Sequence, residues 1–323
     1  MKVLVLGATG HIGNAIVREL LRRRYKVTAT GRSKYPGPNL AGLPITYSPG
    51  NIYAPGQIEA WVSGHDTVVD AAAPYPVKLA ITRRDDFLAD ASERTRRLLR
   101  AVRHEGARLA YVSSFTTLKR WRGRVDEWPI ELMSKLHPYF AVKELIETEV
   151  LEAAARGLEV VIVNPTMCLG PWDLHERSLC LIPRLLGREI PVSMQQMLNV
   201  IDVRDVAKGL VLMLESSKYG RPTLLSGHNI SAPTLYSWIC EIGGVEPPSI
   251  SLPPLPGALS AYLGELLLGV GGLEMPIALA AMLVNSHEWQ PPCEALMDLK
   301  TAPRSLYKTL LDSIDWYRSL GYC

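Results

Sequence analysis

Short apolar runs alternate with longer amphipathic stretches through the first half of the chain. The runs VLVLG, KVTAT, DTVVDAA, RLAYVSS and EVVIVNP predict five strands. Between them, HIGNAIVRELLRRR, residues 85–104 and PYFAVKELIETEVLEAAARG carry apolar residues at helical spacing. This alternation is typical of a parallel sheet with helices on both faces, so the pattern predicts an α/β, doubly wound fold.

The rhythm breaks after Pro171 into proline-rich loops and helices, with one return to strand-then-helix at NVIDVRDVAKGLVLMLE. We therefore expect a domain of residues 1–170, to which segment 197–217 returns, and a smaller, mainly helical substrate-binding lobe of residues 171–323. The most apolar region, 252–284, is interrupted by prolines, glycines and two glutamates, so no transmembrane segment is expected. Shallow contact with a bilayer is the alternative to helices of the lobe.

Composition excludes several classes of protein. The 35 Lys+Arg against 32 Asp+Glu give a net charge of +3, too small to indicate nucleic acid or anionic lipid as a partner. Five widely spaced cysteines form neither a disulfide framework nor a metal-ligand pattern, so no metal is expected and a reducing cytoplasm fits best. An apolar strand begins almost at Met1, so we expect a structural N-terminus without a signal peptide.

Three glycines, Gly7, Gly10 and Gly13, stand where the first strand gives way to the first helix. Small residues at this junction let the backbone approach a pyrophosphate at the positive end of a helix, as in Rossmann-type domains. A tight turn without a ligand is the alternative. The strand before it and the helix and strand after it favour a dinucleotide site.

The tip of the second predicted strand reads Thr30-Gly31-Arg32-Ser33-Lys34 and has no carboxylate for the adenosine ribose. A guanidinium, a hydroxyl and an ammonium suit a 2′-phosphate instead, because Arg can hold phosphate with two hydrogen bonds. We therefore expect NADP(H) more than NAD(H). Arg32 and Lys34 as plain exposed loop charges are the alternative.

Tyr139 and Lys143 lie four residues apart in a predicted helix, so both side chains share one face. A neighbouring ammonium stabilises phenolate, so we expect Lys143 to lower the pKa of Tyr139 from about 10. Spacing alone also fits two side chains on a solvated face. The preceding strand, however, ends in Ser113-Ser114 at the edge where such sheets bind ligands.

These motifs together resemble the extended short-chain dehydrogenase/reductases, in the branch of dihydroflavonol-reductase-like and hopanoid-associated epimerase-like proteins. The resemblance runs nearly the full length of the chain. It rests on ATGHIG at residues 8–13, DAAAP at 70–74, Ser113-Ser114, Tyr139-xxx-Lys143, NPTMCLGP at 164–171 and LNVIDVRDVA at 198–207.

The resemblance implies a role for each residue of a catalytic set. Tyr139 protonates the carbonyl oxygen, Lys143 tunes Tyr139 and binds the nicotinamide ribose, and Ser114 bonds the substrate oxygen. Ser113 or Thr116 could replace Ser114, because an error of one residue at the strand end swaps the inward face.

The same resemblance implies two groups of contacts, and for the second group plain packing is the alternative. The cofactor is expected to contact Gly7, Thr9, Gly10, His11, Ile12, Gly13, Arg32, Ser33, Lys34, Asn51, Ile52, Ala71, Ala72, Ala73, Tyr139, Lys143, Pro165, Thr166 and Met167. The substrate is expected to contact Pro74, Tyr75, Phe115, Thr116, Cys168 and Trp172.

The chain departs from the family pattern at Ala91 and Asn51, where asparagine and aspartate are common, and at Leu198. Nucleotide-sugar enzymes usually carry at this last position an arginine that meets pyrophosphate, which leucine cannot replace, although Arg184, Arg188 or Arg204 could substitute from another position. We therefore expect an NADPH-dependent reductase of a ketone or aldehyde on a moderately apolar small molecule. The alternatives are an NAD-dependent sugar epimerase or dehydratase and a non-catalytic NADPH-binding sensor. A homodimer is expected from the resemblance only.

Overall fold

The computed structural model describes residues 1–73, 84–118, 137–174, 180–217, 219–253, 263–264 and 290–322. Helices and strands alternate along most of this length. In chain order the elements are β1 (Lys2–Leu6), α1 (His11–Arg22), β2 (Lys26–Gly31), β3 (Thr46–Pro49), α2 (Gln57–Val62), β4 (Thr67–Asp70), α3 (Arg84–Glu105), β5 (Arg108–Val112), a 3₁₀ turn (Phe115–Thr117), α4 (Pro138–Ala155), β6 (Val160–Pro165), β7 (Met167–Leu169), α5 (Leu181–Leu186), β8 (Val192–Met194), β9 (Met197–Asp202), α6 (Val203–Glu215), β10 (Pro222–Leu225), β11 (His228–Ser231), α7 (Ala232–Gly243), β12 (Ile250–Leu252), α8 (Glu294–Asp298) and α9 (Leu306–Ser319).

Seven of the described strands form one parallel sheet in the order β10-β6-β5-β4-β1-β2-β3. All five predicted strands lie in this sheet, which confirms the Rossmann-type fold. The sequence pattern missed the two edge strands of this sheet, β10 and β3; the four residues of β3 are partly or fully exposed and form no apolar run. Chain order reverses between β1 and β4, and ligands of such sheets bind beside the carboxyl ends of strands at this point.

The two faces of the sheet are covered by different helices because side chains of a strand alternate. On β1, Val3 and Val5 face α1 and α6, whose apolar residues complete one core. Leu4 and Leu6 face α3 and α4, which pack against each other and complete the second core. The three helices predicted from periodicity are α1, α3 and α4 in the structure.

In the described part of the chain, a third core lies around helices α5, α7 and α9. It includes a three-stranded sheet, β11-β9-β7, and the pair β12-β8, which the expectation of a mainly helical lobe did not include. Most of the apolar region 252–284 lies outside the described residues. Among the helices that are described, none combines the length and the apolar character needed to cross a bilayer. The domain boundary at residue 170 stays a prediction.

Candidate active site

The residues predicted to hold a ligand follow the carboxyl ends of parallel strands, so they share one edge of the sheet. Gly7 follows β1 and Ala71 follows β4, which are hydrogen-bonded neighbours with Leu6 opposite Asp70. Ser113 and Ser114 follow β5, which lies on the other side of β4. The glycine turn and the predicted catalytic serine thus follow the carboxyl ends of β1 and β5, the two strands that flank β4.

The glycine turn is close-packed backbone. Gly7 has φ of 73°, and a Cβ atom there would lie 2.6 Å from the Ala71 carbonyl oxygen. A Cβ atom on Gly13 would lie 2.2 Å from the Gly7 oxygen. Gly10 caps α1 without a side chain, so amide groups at the start of this helix are left for an anion. The turn therefore fits the pyrophosphate of a dinucleotide.

A layer of side chains supports this turn from behind. The Asn39 side-chain amide donates to the Thr9 carbonyl oxygen at 3.0 Å, and the Asn14 side-chain amide donates to the main-chain carbonyl oxygen of Asn39 at 2.9 Å. The Arg18 guanidinium also donates to this oxygen and lies 4.4 Å from the centre of the Trp172 ring. Trp172, predicted to face substrate, therefore packs against α1.

His11, a predicted cofactor contact, also meets the segment after β7. Its Nδ1 lies 3.9 Å from the Asp173 carboxylate, and its side chain is buried. Ile12 packs against the core from the same first turn of α1. The start of α1 and the segment beginning at Trp172 are thus held together by polar and aromatic contacts.

The loop after β2 is exposed at Arg32, Ser33 and Lys34. The Tyr47 hydroxyl donates to the Ser33 carbonyl oxygen at 2.8 Å and fixes the loop backbone. Arg32 makes no ion pair with any residue that the structure describes, so its guanidinium remains open to an anion. A Cβ atom on Gly31 would lie 2.8 Å from the Thr9 side chain, which places the loop beside the glycine turn.

The other predicted cofactor contacts follow β3, β4 and β6. Asn51 accepts the amide hydrogen of Tyr53 at 3.0 Å, while Ile52 packs against the core. Ala71, Ala72 and Ala73 are partly exposed where β4 ends. Pro165 ends β6, Met167 begins β7, and between them the buried Thr166 hydroxyl donates to Asn199 Oδ1 at 2.7 Å.

Tyr139 and Ser114 are in direct contact. The Tyr139 hydroxyl donates to Ser114 Oγ at 3.1 Å, and the Thr116 hydroxyl donates to the same oxygen at 2.9 Å. Tyr139 lies in the first turn of α4, where Pro138 and the capping side chain of His137 start the helix. Of the candidate hydroxyls, Ser114 is thus the one that the structure joins to both Tyr139 and Thr116.

The pKa of Tyr139 differs from the expectation. Burial, with 5% of the residue exposed, raises the pKa of the phenol, while the hydroxyls of Ser114 and Thr116 act in the opposite direction. Lys143 is not among the groups that lower it, so the expectation of an acidified phenol is not met. The physical reason is that burial of both groups outweighs any stabilisation of phenolate by the nearby cation.

Lys143 is 7% exposed, and desolvation lowers its pKa to about 8. Asp70 and Glu147 raise the pKa of this ammonium, whereas Arg94 lowers it further. Sequence reasoning gave no role to these three neighbours. The sequence does hold an indication for Arg94. It falls at helical spacing with Ala91, Thr95 and Leu98 on the buried side of α3, where a charged residue is rare unless it is paired.

Of the remaining predicted substrate contacts, Phe115 and Cys168 lie near the catalytic residues. Phe115 is buried in the 3₁₀ turn beside Ser114. The Cys168 thiol donates to the Thr166 carbonyl oxygen at 3.4 Å and is near enough to Tyr139 to raise the pKa of its phenol. Burial also raises the pKa of Cys168 itself, so this thiol is not an activated nucleophile. Pro74 and Tyr75 lie outside the described residues.

Comparison with known proteins gives a matching family model, similar chains and a similar fold. The family model described as NAD dependent epimerase/dehydratase family matches residues 3–224. A Synechocystis protein provisionally named dihydroflavonol 4-reductase is 29% identical over 98% of this chain and 95% of its own length. Sterol demethylase protein B of Methylococcus capsulatus is 26% identical over 99% of both chains. The crystal structure of PA4631, a nucleoside-diphosphate-sugar epimerase from Pseudomonas aeruginosa, has a TM-score of 0.74 and 24% identity over 100% of this chain and 99% of its own, which shows the shared fold alone.

Proposed function

The chain belongs to the NAD dependent epimerase/dehydratase family, and from this membership we propose that it is an NADPH-dependent oxidoreductase that reduces a ketone or aldehyde on a moderately apolar small molecule. Membership makes it an NAD(P)-dependent enzyme of the oxidoreductase type. The observation that carries the finer proposal is the 3.1 Å hydrogen bond between Tyr139 and Ser114, one helical turn from Lys143 and at the same edge of the sheet as the glycine turn.

In this proposal each side chain acts on the carbonyl oxygen or on the cofactor. Ser114 and Thr116 hold the oxygen by hydrogen bonds, and Tyr139 gives it a proton, so that the carbonyl becomes an alcohol. The bound cofactor supplies the hydride that joins the carbonyl carbon. The Lys143 ammonium would hold the nicotinamide ribose. It also stabilises the phenolate that Tyr139 becomes after it gives up its proton, until a proton from solvent restores the hydroxyl.

A tyrosine with a raised pKa suits reduction at neutral pH, because it stays protonated and ready to donate. The proton leaves as negative charge grows on the substrate oxygen, whose basicity rises toward that of an alkoxide, so the phenol need not be acidified in order to donate. Burial of the site by Phe115 and Tyr139 excludes water and strengthens the hydrogen bonds there.

The cofactor preference rests on Arg32. Its guanidinium is exposed beside the glycine turn and is not committed to a described carboxylate, so it can bind a 2′-phosphate with two hydrogen bonds. We expect Arg32→Ala to weaken NADPH binding by about 1–3 kcal/mol and NADH binding much less. Calorimetric titration of both cofactors, with exposed Arg22→Ala on α1 as control, measures this, and an equal loss for both would reject the preference.

An apolar substrate is supported by Leu198. This residue is buried in the third core, on strand β9, where nucleotide-sugar enzymes would need an arginine. Arg204, a possible substitute on the same stretch, is committed to the carboxylates of Asp202 and Asp312. The substrate lobe of residues 171–323 and the cofactor domain of residues 1–170 with 197–217 remain part of the proposal.

The test is hydride transfer from NADPH to a panel of ketones and aldehydes, followed at the absorbance of the reduced nicotinamide. Tyr139→Phe keeps the ring and removes the proton donor, so we expect a loss of at least about 100-fold in kcat. Tyr25→Phe is the matched control, since its hydroxyl bonds Glu215 away from the site. Equal rates for Tyr139→Phe and the wild type would reject the catalytic assignment.

The alternative function is a sugar epimerase or dehydratase, in which the same residues oxidise an alcohol transiently and the cofactor is regenerated in each turnover. Its support is the family itself, whose description covers both activities. Purified protein that carries tightly bound NAD, together with sugar-nucleotide conversion without net use of NADPH, would favour this alternative over the reductase.

A further inference from the structure

A second pair of charged side chains lies behind the site, and the mechanism above does not use it. Asp70, the last residue of β4, and Arg94, on α3, are each 1% exposed. Arg94 donates two hydrogen bonds to Asp70, one of them 2.5 Å long from Nη1 to Oδ2. Asp70 Oδ1 also accepts the amide hydrogen of Ala72 at 3.1 Å, in the turn predicted to line the cofactor.

Stability alone does not account for this pair. Burial of two ions costs solvation that their attraction offsets only in part, and apolar side chains of the same volume often serve as well. Every other buried neighbour of Arg94 on its stripe of α3 is small or apolar, from Ala91 to Leu98. The charge pair therefore calls for a role in this location.

The second buried carboxylate of the region is also occupied. Glu147, one turn after Lys143 on α4, accepts hydrogen bonds at Oε2 from Asn164 Nδ2 at 2.6 Å and from the Thr117 hydroxyl at 2.8 Å. Both donors also reach the carbonyl oxygen of Ser114, at 3.0 and 2.8 Å. The Glu147 network thus fixes the backbone of the serine that contacts Tyr139.

Lys143 lies among these groups without a partner among them. Its ammonium makes no hydrogen bond or ion pair with any residue in the described part of the chain, although the charges of Asp70, Arg94 and Glu147 all act on it. These three come from β4, α3 and α4. The phenols of Tyr111 on β5 and of Tyr53, before α2, also interact with Asp70 and Arg94, and Tyr139 lies one turn before Lys143 on α4. Each nearby carboxylate is bound by other donors instead.

We propose that Arg94 is a positioning residue: by occupying the Asp70 carboxylate, it prevents an ion pair between Asp70 and Lys143 and leaves the ammonium free to bind the cofactor. The same bidentate contact holds the carboxylate where it can order the Ala72 amide. One guanidinium thus controls both the lysine on α4 and the turn that follows β4.

The signs of the interactions agree with this role. Asp70 raises the pKa of Lys143, and Arg94 lowers it. Without Arg94, the Asp70 charge acts on the lysine alone, so the lysine pKa rises and its ammonium moves toward the carboxylate. The effect on cofactor binding rests on the proposed function of Lys143, whereas the effect on its titration does not.

The experiment measures the titration of Lys143 by NMR of protein labelled with [ε-¹³C]lysine, with the signal assigned by its loss in Lys143→Arg. We expect the midpoint, about 8 in the wild type, to rise by roughly one to two units in Arg94→Met. The double variant Asp70→Asn/Arg94→Met is the matched control, because it lacks the same guanidinium and also lacks the carboxylate. Its midpoint should stay within about half a unit of the wild type.

Cofactor binding supplies a second measurement. In Arg94→Met the dissociation constant of NADPH should rise about tenfold, and its pH dependence should move upward with the lysine midpoint, while the double variant recovers most of the affinity. Equal midpoints in the single and double variants would overturn the proposal. If the single variant does not fold, a shift above about one unit in the double variant overturns it, because the two charges would then not cancel. A shifted midpoint with no carbonyl reduction would reject the reductase and retain the positioning role.

Discussion

The two halves of the site are built in opposite ways. The turn after β1 is made of backbone, and its shape depends on the absence of side chains at Gly7 and Gly13. The part beside β5 is made of side chains, and its properties depend on what surrounds Ser114, Tyr139 and Lys143. The space available for a side chain limits substitution in the first half, and the buried charges limit it in the second.

The difference shows that cofactor binding and proton transfer place different requirements on the protein. A dinucleotide phosphate needs amide groups at a fixed distance, which a close turn supplies without any titratable group. Proton transfer needs groups whose protonation is set by burial and by neighbours, so it tolerates little change in the buried charges nearby. The predictions below test each half by the property on which it depends.

The largest effect is expected in the backbone half. In Gly13→Ala the new methyl would lie 2.2 Å from the Gly7 oxygen, and neither backbone can move without opening the turn. We expect a loss of more than about 3 kcal/mol in the free energy of unfolding, measured in urea, and loss of dinucleotide binding.

Gly10→Ala is the control for this substitution, because its methyl would be 3.3 Å from the same oxygen. It should lose less than about 1 kcal/mol. Similar losses in both variants would mean that the turn is not limited by space.

An effect of opposite sign is expected in the charged half. The folded pKa of Lys143 is about 8 against an ordinary value of 10.5, so between these pH values the unfolded chain binds more protons and wild-type stability rises with pH. Below pH 8 the full cost of the buried ammonium remains. Lys143→Met should therefore raise the free energy of unfolding at pH 7 by roughly 2–3 kcal/mol, although it abolishes activity.

Urea unfolding of the wild type and Lys143→Met at pH 7 and pH 10 measures this, with exposed Lys26→Met on β2 as control. The advantage of the variant should shrink toward pH 10, because the wild-type lysine is then neutral in the folded state. An advantage that does not change with pH would show that packing, not charge, is responsible.

The smallest effect is expected where the turn is supported from behind. Arg18→Met removes a cation–π contact with Trp172 and the hydrogen bond to the Asn39 oxygen. We expect a loss of about 1 kcal/mol in stability and a weaker dinucleotide affinity. Arg22→Met, on the same helix but exposed, is the control, and an equal loss in both would remove Arg18 from the support of the turn.

The backbone half could be predicted from the sequence because its signal is local. Gly7, Gly10 and Gly13 fall within one short segment between a strand and a helix, and the structure forms the turn at that segment. The strands and helices of the sheet followed from periodicity for the same reason. The exceptions were the two edge strands, β3 and β10, and the short helix α2; the exposed residues of β3 give no apolar pattern.

The charged half could be predicted only in part. Tyr139 and Lys143 are one turn apart on a helix, but the residues that set their protonation come from distant segments. Asp70 and Arg94 are 24 residues apart and meet only because α3 packs beside β4. The sequence analysis predicted a lowered pKa for Tyr139, and the structure raises it, because spacing along a helix says nothing about burial.

The main sheet receives its last strand, β10, from the chain beyond residue 220, next to β6. A fragment that stops at residue 170 would leave β6 without its partner along residues 162–165, an open edge that other chains can join. The first half of the protein should accordingly aggregate when it is expressed by itself. During synthesis, a ribosome must complete about two thirds of the polypeptide before the last strand can join the nucleotide-binding sheet.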